Sequence, residues 1–323
     1  MLFWNFDILS SLVLPEIITF LKSIWSSGCE DLTCMGFYDH VGSLSVTGLT
    51  QIQRSVDVNQ LKAFEASSQV LFSPQLLPFT IQTIRFSSLE KLRLSSIKLS
   101  SAHWDKLLRH LAIPTLVELQ VDADCMPSML ICFLARHPAI DHLAVNPRPG
   151  ARWRMNRVMM SLTLFMAVLD GPLSHVLPVL WCHHIPPTLT CLGISLQDDD
   201  ASPDYITTIL RCVDYCDSVG CLLLSISPQS HSCLAMSCIP GIHSAVLVKR
   251  LAINYSDAPV LCPASAGDAL ALSAAWIEAF PEVKYVSMWG YSTITTGDLV
   301  RIICRFAVDD VILSVELQSH LGM

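Results

Sequence analysis

Charge is scarce in this chain. Only 15% of its 323 residues are Asp, Glu, Lys or Arg, against roughly 25% in an average soluble protein. The net charge is −8, with acids and bases scattered and no basic block. Phosphate recognition needs clustered Lys and Arg, so nucleic acid is not the expected partner. No Cys-x-x-Cys knuckle, no phosphate-cradling glycine loop and no Gly-x-Ser-x-Gly elbow occurs. The N-terminus has no basic n-region, and Asp7 and Glu16 interrupt its apolar run, which excludes an ordinary secretion signal. Without such a signal, the 13 cysteines read as reduced thiols serving as small buried apolar residues, in a cytoplasmic or nuclear setting.

Apolar residues are abundant, at 52%, enough to bury a large core. The longest stretch poor in charge, Val158 to Trp181, carries only Asp170, and Arg148, Arg152, Arg154 and Arg157 precede it. That flank suits a membrane-associated protein anchored through 158–181. Asp170-Gly171-Pro172 places a charge and a turn in the middle, however, and two shorter elements, a strand then a helix, fit those residues better.

The organising pattern is apolar-x-x-apolar-x-apolar. It is clearest at Leu89/Leu92/Leu94, Leu116/Leu119/Val121 and Ile140/Leu143/Val145, whose starts lie 27 and 24 residues apart. Later copies are Leu189/Leu192/Ile194, Val219/Leu222/Leu224, Val248/Leu251/Ile253 and Val283/Val286/Met288, with a weaker one at Val308/Val311/Leu313. Leu162-Thr163-Leu164 is expected to supply the strand between Ile140 and Leu189. Upstream, Val41/Leu44/Val46 is a further copy, and Val70 to Phe72 a candidate strand. Proline stands two positions before the first apolar residue at Pro114, Pro138, Pro187 and Pro281, stopping one element and starting an extended one.

Between the triplets the spacing turns helical. Ser100 can cap a helix with Trp104, Leu107, Leu108 and Leu111 on one face, and Pro127 opens another carrying Leu130, Ile131 and Leu134. Ser202-Pro203 starts a third with Ile206, Ile209, Leu210 and Val213; Leu299, Ile302, Ile303 and Phe306 form a late one. Alternating strand and helix at this period predicts an α/β leucine-rich-repeat-like solenoid, a horseshoe or arc. Parallel strands would line its concave face and helices its convex face. Residues 1–323 read as one such solenoid, with 1–40 as N-terminal cap or first repeat and 300–323 as C-terminal cap.

Ser88-Leu89-Glu90-Lys91-Leu92-Arg93-Leu94, the starts at Pro114 and Pro138, and Leu14-Pro15-Glu16-Ile17-Ile18 to Leu21 followed by Gly28-Cys29-Glu30-Asp31-Leu32 resemble one known family. The sequence looks like the divergent leucine-rich-repeat regions of fungal F-box-like proteins, particularly those expanded in mushroom-forming fungi. The resemblance implies a substrate receptor of a cullin-type ubiquitin ligase, with an F-box bound to the ligase adaptor and the repeats holding substrate. Leu14-Pro15-Glu16-Ile17 matches the opening of an F-box, but Gly28 and an expected strand interrupt the helical bundle that should follow. A repeat-only relative therefore stays open beside the receptor.

The phase names the concave residues: Lys91, Arg93 and Ser95; Glu118, Gln120 and Asp122; His142 and Asn146; Arg250 and Asn254; Tyr285, Ser287 and Trp289. Arg250, Tyr285 and Trp289 are the expected anchors for a protein partner. No catalytic residue, cofactor or metal is expected. The alternative chemistry would be an enzyme or metal protein using Cys212, Cys216, Cys221, Cys233, Cys238, His231 and His243, although packed thiols explain the same residues. His183-His184 beside Cys182 would need an irregular loop to act as paired ligands. Asp198-Asp199-Asp200 reads as acid at a helix N-terminus rather than a cation loop.

Overall fold

The computed structural model describes residues 2–5, 18–19, 22–23, 28–36, 60–73, 76–97, 99–147, 165–181, 188–196, 210, 213, 216, 218–226, 248–255, 273–274, 276–277, 279–280, 282–289 and 312–313. The chain forms two compact units, Met1–Trp153 and Arg154–Met323. Each is α/β, with an open, all-parallel sheet whose strands follow chain order.

In the first unit the strands are β1 (Leu2–Asn5), β2 (Asp31–Met35), β3 (Ala63–Ala66), β4 (Lys91–Leu94), β5 (Glu118–Asp122) and β6 (His142–Asn146). Between them lie α1 (Leu77–Arg85), α2 (Ser101–His110) and α3 (Pro127–Arg136). Because strand side chains alternate between faces, register alone sorts them into columns. Leu32, Phe64, Leu92, Leu119 and Leu143 stack in one buried column, and Cys34, Ala66 and Leu94 in the next. Val121 and Val145 pair in the same phase as Leu94. The three clearest sequence triplets are buried at every apolar position.

The helices follow their expected signals. Ser100 takes an extended conformation and its hydroxyl accepts the His103 N–H at 3.4 Å, capping α2. Trp104, Leu107 and Leu108 form its buried face, while Asp105 and Arg109 pair one turn apart on the exposed side. Pro127 begins α3, where a missing N–H costs nothing, and Leu130, Ile131, Phe133 and Leu134 are buried. α2 and α3 pack side by side. Arg136 spans the joint, donating to the carbonyls of Leu108 (2.6 Å), Arg109 (3.2 Å) and Leu111 (3.3 Å) at the C-terminal end of α2. His137, almost fully buried, takes the Ile113 N–H on Nε2 at 3.0 Å and meets the Phe133 carbonyl with Nδ1 at 2.8 Å. This pairing requires the neutral ring with its proton on Nδ1. Burial lowers the His137 pKa, with the Arg136 charge adding to it against the Phe133 bond.

Two expectations upstream need correction. Val70–Phe72 is part of a 3-10 helix, Gln69–Phe72, not a strand. Its three consecutive apolar residues are all buried, whereas a strand with one open face would expose the middle one. The strand of that repeat is β3, built on Leu61-x-x-Phe64-x-Ala66, all three buried. The copy at Val41/Leu44/Val46 lies outside the described residues; the strand preceding β3 is β2. In the expected helical phrase before it, Ile18 and Thr19 are helical.

The second unit contains β7 (Val168–Pro172), α4 (Leu173–Trp181), β8 (Cys191–Leu196), β9 (Cys221–Ile226), β10 (Arg250–Asn254), β11 (Tyr285–Trp289) and β12 (Ile312–Leu313). Leu169, Leu192, Leu222, Leu251 and Val286 stack as one buried column. Ile194, Leu224 and Ile253 form the next, and beyond the strands the buried Tyr255 hydroxyl bonds Ser273 Oγ at 2.6 Å. Asp170-Gly171-Pro172 is the end of β7, not a turn, with the helix starting directly after it. Strand then helix therefore holds for this stretch, but the strand that pairs with β8 is Val168–Pro172, while Leu162–Leu164 lies outside the described residues. α4 has nine residues with Pro178 inside it. Among the described residues no helix is long and apolar enough to cross a membrane.

Strands β3 to β6 and β8 to β11 enter the sheet in the same way. One carbonyl of the preceding repeat accepts two consecutive N–H groups: Glu30 from Lys62 and Ala63, Lys62 from Glu90 and Lys91, Glu90 from Val117 and Glu118. Thr190, Gly220 and Lys249 repeat the arrangement in the second unit. A hydroxyl often reinforces it, with Thr115 donating to the Leu89 carbonyl at 2.7 Å, Thr188 to Met166 at 3.1 Å and Ser218 to Leu189 at 2.7 Å.

Candidate functional site: the open rows of the sheets

With two columns of each strand buried, the first, third and fifth strand positions form rows that carry the polar side chains. In the first unit the leading row is Asp31, Ala63, Lys91, Glu118 and His142; the next is Thr33, Glu65, Arg93, Gln120 and Ala144. Register brings opposite charges together. The Glu118 carboxylate receives Arg93 at 2.6 and 2.7 Å and Lys91 at 3.3 Å, and Arg93 also faces Glu65 at 3.9 Å. Burial pushes the Glu118 carboxyl up, but hydrogen bonds and charge from Arg93 and Lys91 outweigh it and hold the pKa below its ordinary value. Beside this network the short Ala63 side chain leaves a shallow depression of about 220 Å³, bordered by Asp31, Thr33, Glu65, Lys91 and Arg93.

Asp122 behaves differently from its neighbours. It is 5% exposed, and its carboxylate accepts the N–H groups of Ser96 (3.0 Å) and Ile97 (2.7 Å) in the loop after β4. Ser96 is held there at φ 59, in the left-handed region. Asn146 donates to Asp122 at 3.1 Å and accepts from Gln120 at 2.7 Å. Asp122 thus serves the loop. Gln120 and Asn146 remain part-buried in the same polar chain, and His142 is exposed at the end of the row with Asp141 bonded to its Nδ1.

The second unit fills the same rows with other chemistry. Its leading row is Val168, Cys191, Cys221, Arg250, Tyr285 and Ile312, and the next is Asp170, Gly193, Leu223, Ala252 and Ser287. The Arg250 guanidinium lies 5.3 Å from the Tyr285 ring centroid, a cation–π contact between two of the three expected anchors. Asn254 is half-buried, and Trp289 closes β11 in register with it. Gly193 has a local reason: a Cβ there would lie 2.1 Å from Asp170 Oδ1 and would push that carboxylate aside. Burial raises the Asp170 pKa, against a hydrogen bond from the Gly171 backbone.

Cys191 and Cys221 are direct register partners, and both are half-exposed. Their acidities are driven apart, with a thiol–thiol bond as the largest cause on each side. The bond, with burial and the charges of Cys221 and Asp170, raises Cys191. The same bond and the Arg250 charge, against burial, bring Cys221 down to about 7. Of the proposed central cluster, Cys216 is fully buried while Cys221 stands in the leading row, so these two occupy different environments. Cys212, Cys233, Cys238, His231 and His243 lie outside the described residues, as do Cys182, His183, His184 and Asp198–Asp200. Among the described residues no group of three or more His, Cys, Asp or Glu is placed to hold a metal ion.

The thiol pair is the feature that sequence spacing overlooked. Sequence proximity groups Cys221 with Cys212 and Cys216, but its register partner Cys191 lies one repeat upstream. Both stand immediately before the second apolar position, in Cys191-Leu192-x-Ile194 and Cys221-Leu222-x-Leu224, and aligning repeats by phase would have paired them. No protein-family model matches the chain, and no curated protein matches it.

Proposed function

We propose that the chain is a leucine-rich-repeat-like solenoid, a horseshoe or arc, acting as a non-catalytic protein-binding module. The observation that supports this reading most is the strand order. Within each unit consecutive strands are nearest neighbours, parallel and in constant register. Repeated units that stack this way align equivalent side chains into long surface rows, suited to an extended partner. The rows carry Lys91, Arg93, Glu118, His142, Arg250 and Tyr285, and Arg and Tyr are frequent interface anchors. The resemblance to F-box-like proteins makes a substrate receptor of a cullin-type ligase the more specific form of the proposal. Leu14-Pro15-Glu16-Ile17, which would contact the adaptor, lies outside the described residues.

Affinity capture from the native host, read by quantitative mass spectrometry, tests both levels. Arg93→Ala and the pair Arg250→Ala with Tyr285→Ala should deplete a common set of captured proteins at least tenfold. Arg109→Ala, on the exposed side of α2, should leave that set unchanged. Equal depletion by all three would remove the row surface as the binding site. Recovery of a ligase adaptor that is lost with Leu14→Glu and Ile17→Glu supports the receptor; recovery of the common set without any adaptor leaves a repeat-only binder.

A further inference from the structure

We propose that Cys191 and Cys221 form a peroxide-sensitive dithiol, in which Cys221 is oxidised first and Cys191 closes a disulfide across β8 and β9. Three observations converge on this pair. The two residues are register partners on adjacent parallel strands, where backbones run about 4.8 Å apart and side chains of one row project to the same side. That separation falls within the Cα spacing of roughly 4.4 to 6.8 Å that a disulfide spans. Both thiols are free and half-exposed, so an oxidant reaches them without unfolding the core. Arg250 is the register partner of Cys221 on the other side, and its stacking on Tyr285 keeps a guanidinium in the row beside that sulfur. A neighbouring cation favours the thiolate, the reactive form.

The other described cysteines make the contrast. Cys34 and Cys125 are buried, with thiols pushed up to about 12, and Cys216 is buried as well. Cys132 is exposed on α3, and Cys29 donates to the Asp31 carbonyl at 3.1 Å. Only in the Cys191–Cys221 pair, among the described residues, does register set two thiols side by side.

The chemistry balances with hydrogen peroxide as the oxidant. The Cys221 thiolate attacks one peroxide oxygen; the O–O bond breaks, hydroxide leaves and takes up a proton as water, and the sulfur becomes a sulfenic acid. The Cys191 sulfur then attacks the Cys221 sulfur. The S–O bond breaks, the departing hydroxide takes the Cys191 thiol proton, and an S–S bond forms. In total, two thiols and one peroxide give one disulfide and two waters. The neighbouring Cys221 sulfur and burial disfavour a thiolate at Cys191, and Asp170 in the adjoining row adds to this, so Cys221 reacts first.

The experiment uses the full chain, reduced and then exposed to one equivalent of hydrogen peroxide at pH 7, with peptide mapping by mass spectrometry. The expected product is a Cys191–Cys221 cross-linked peptide, reversed by dithiothreitol. In Cys191→Ser the expected product is a Cys221 sulfenic acid trapped by dimedone, and Cys221→Ser should leave Cys191 reduced at the same dose. Independently of any variant, iodoacetamide should label Cys221 about tenfold faster than Cys132 at pH 7, because Arg250 beside Cys221 favours its thiolate. Arg250→Ala should remove most of that advantage. Labelling of Cys221 no faster than Cys132, or a disulfide from Cys221 to any cysteine but Cys191, overturns the proposal.

Discussion

The leading row of the first unit is ionic, and that of the second pairs two thiols with a stacked Arg–Tyr couple, although both rest on the same construction. Leu92 and Leu222 occupy equivalent buried positions, and so do Leu119 and Leu251. One place outward, Lys91 and Glu118 neutralise each other in one unit while Cys191 and Cys221 stand side by side in the other. The buried columns obey a single packing requirement, so they repeat; the open rows face no such requirement, and each unit has filled them independently. Repetition in such a chain therefore reports on the fold, and departure from repetition reports on what the surface does.

The comparison breaks most severely at the shared columns. Leu92→Asp and Leu222→Asp each bury an unpaired charge, and each should cost more than about 4 kcal/mol, seen as loss of cooperative urea unfolding. If either is tolerated, the two columns are not equivalent. Asp122→Ala should come next, at about 2 kcal/mol, because it strands the Ser96 and Ile97 N–H groups, which have their acceptor in that carboxylate. Hydrogen exchange should then rise first in the loop after β4.

A gentler difference concerns pH. The folded His137 has a lowered pKa, so below its unfolded value of about 6.5 the unfolded chain binds the proton more readily. Stability of the first unit is expected to be complete above that pH and to decline as the pH falls from about 6.5 toward the folded pKa. His137→Gln should flatten that decline in thermal melts recorded from pH 7.5 to 5.5. The smallest effect belongs to the ion network. Arg93→Ala should cost no more than about 0.5–1 kcal/mol, since Arg93 is half-exposed, and the difference should shrink in 1 M salt.

How far the sequence reveals this architecture depends on which residues occupy the third apolar position. Where it is Leu94, Val121, Val145 or Ile194, the repeat is legible and its strand lies where the triplet puts it. Where Ala66 or Gly171 takes that place, the pattern fades, and β3 and β7 were displaced to Val70–Phe72 and Leu162–Leu164. Small residues satisfy a column whose neighbours supply the bulk, and a pattern of large apolar residues does not register them. Phase puts Lys91, Arg93, Glu118, Arg250 and Tyr285 at alternate strand positions but is silent on which of them pair. Register folds Lys91, Arg93 and Glu118, together with Glu65, into one neutral network that sequence order does not show. Asp122 looked like a surface contact because phase alone does not show that the loop at Ser96 needs its carboxylate.

The twofold-accepting carbonyl at these strand entries, with its occasional Thr or Ser clamp, has a consequence for how such a chain tolerates change. Pairing begins from a fixed hydrogen-bonded point at Glu30, Lys62, Glu90, Val117, Ala167, Thr190, Gly220 and Lys249, so within each unit alignment is renewed at these strands rather than inherited. A residue gained or lost between two strands is absorbed in the connection that contains it. Strand starts are 24 residues apart between β5 and β6 and 35 apart between β10 and β11, and both pairs hold the same columns. The structure corrects its own spacing errors one repeat at a time.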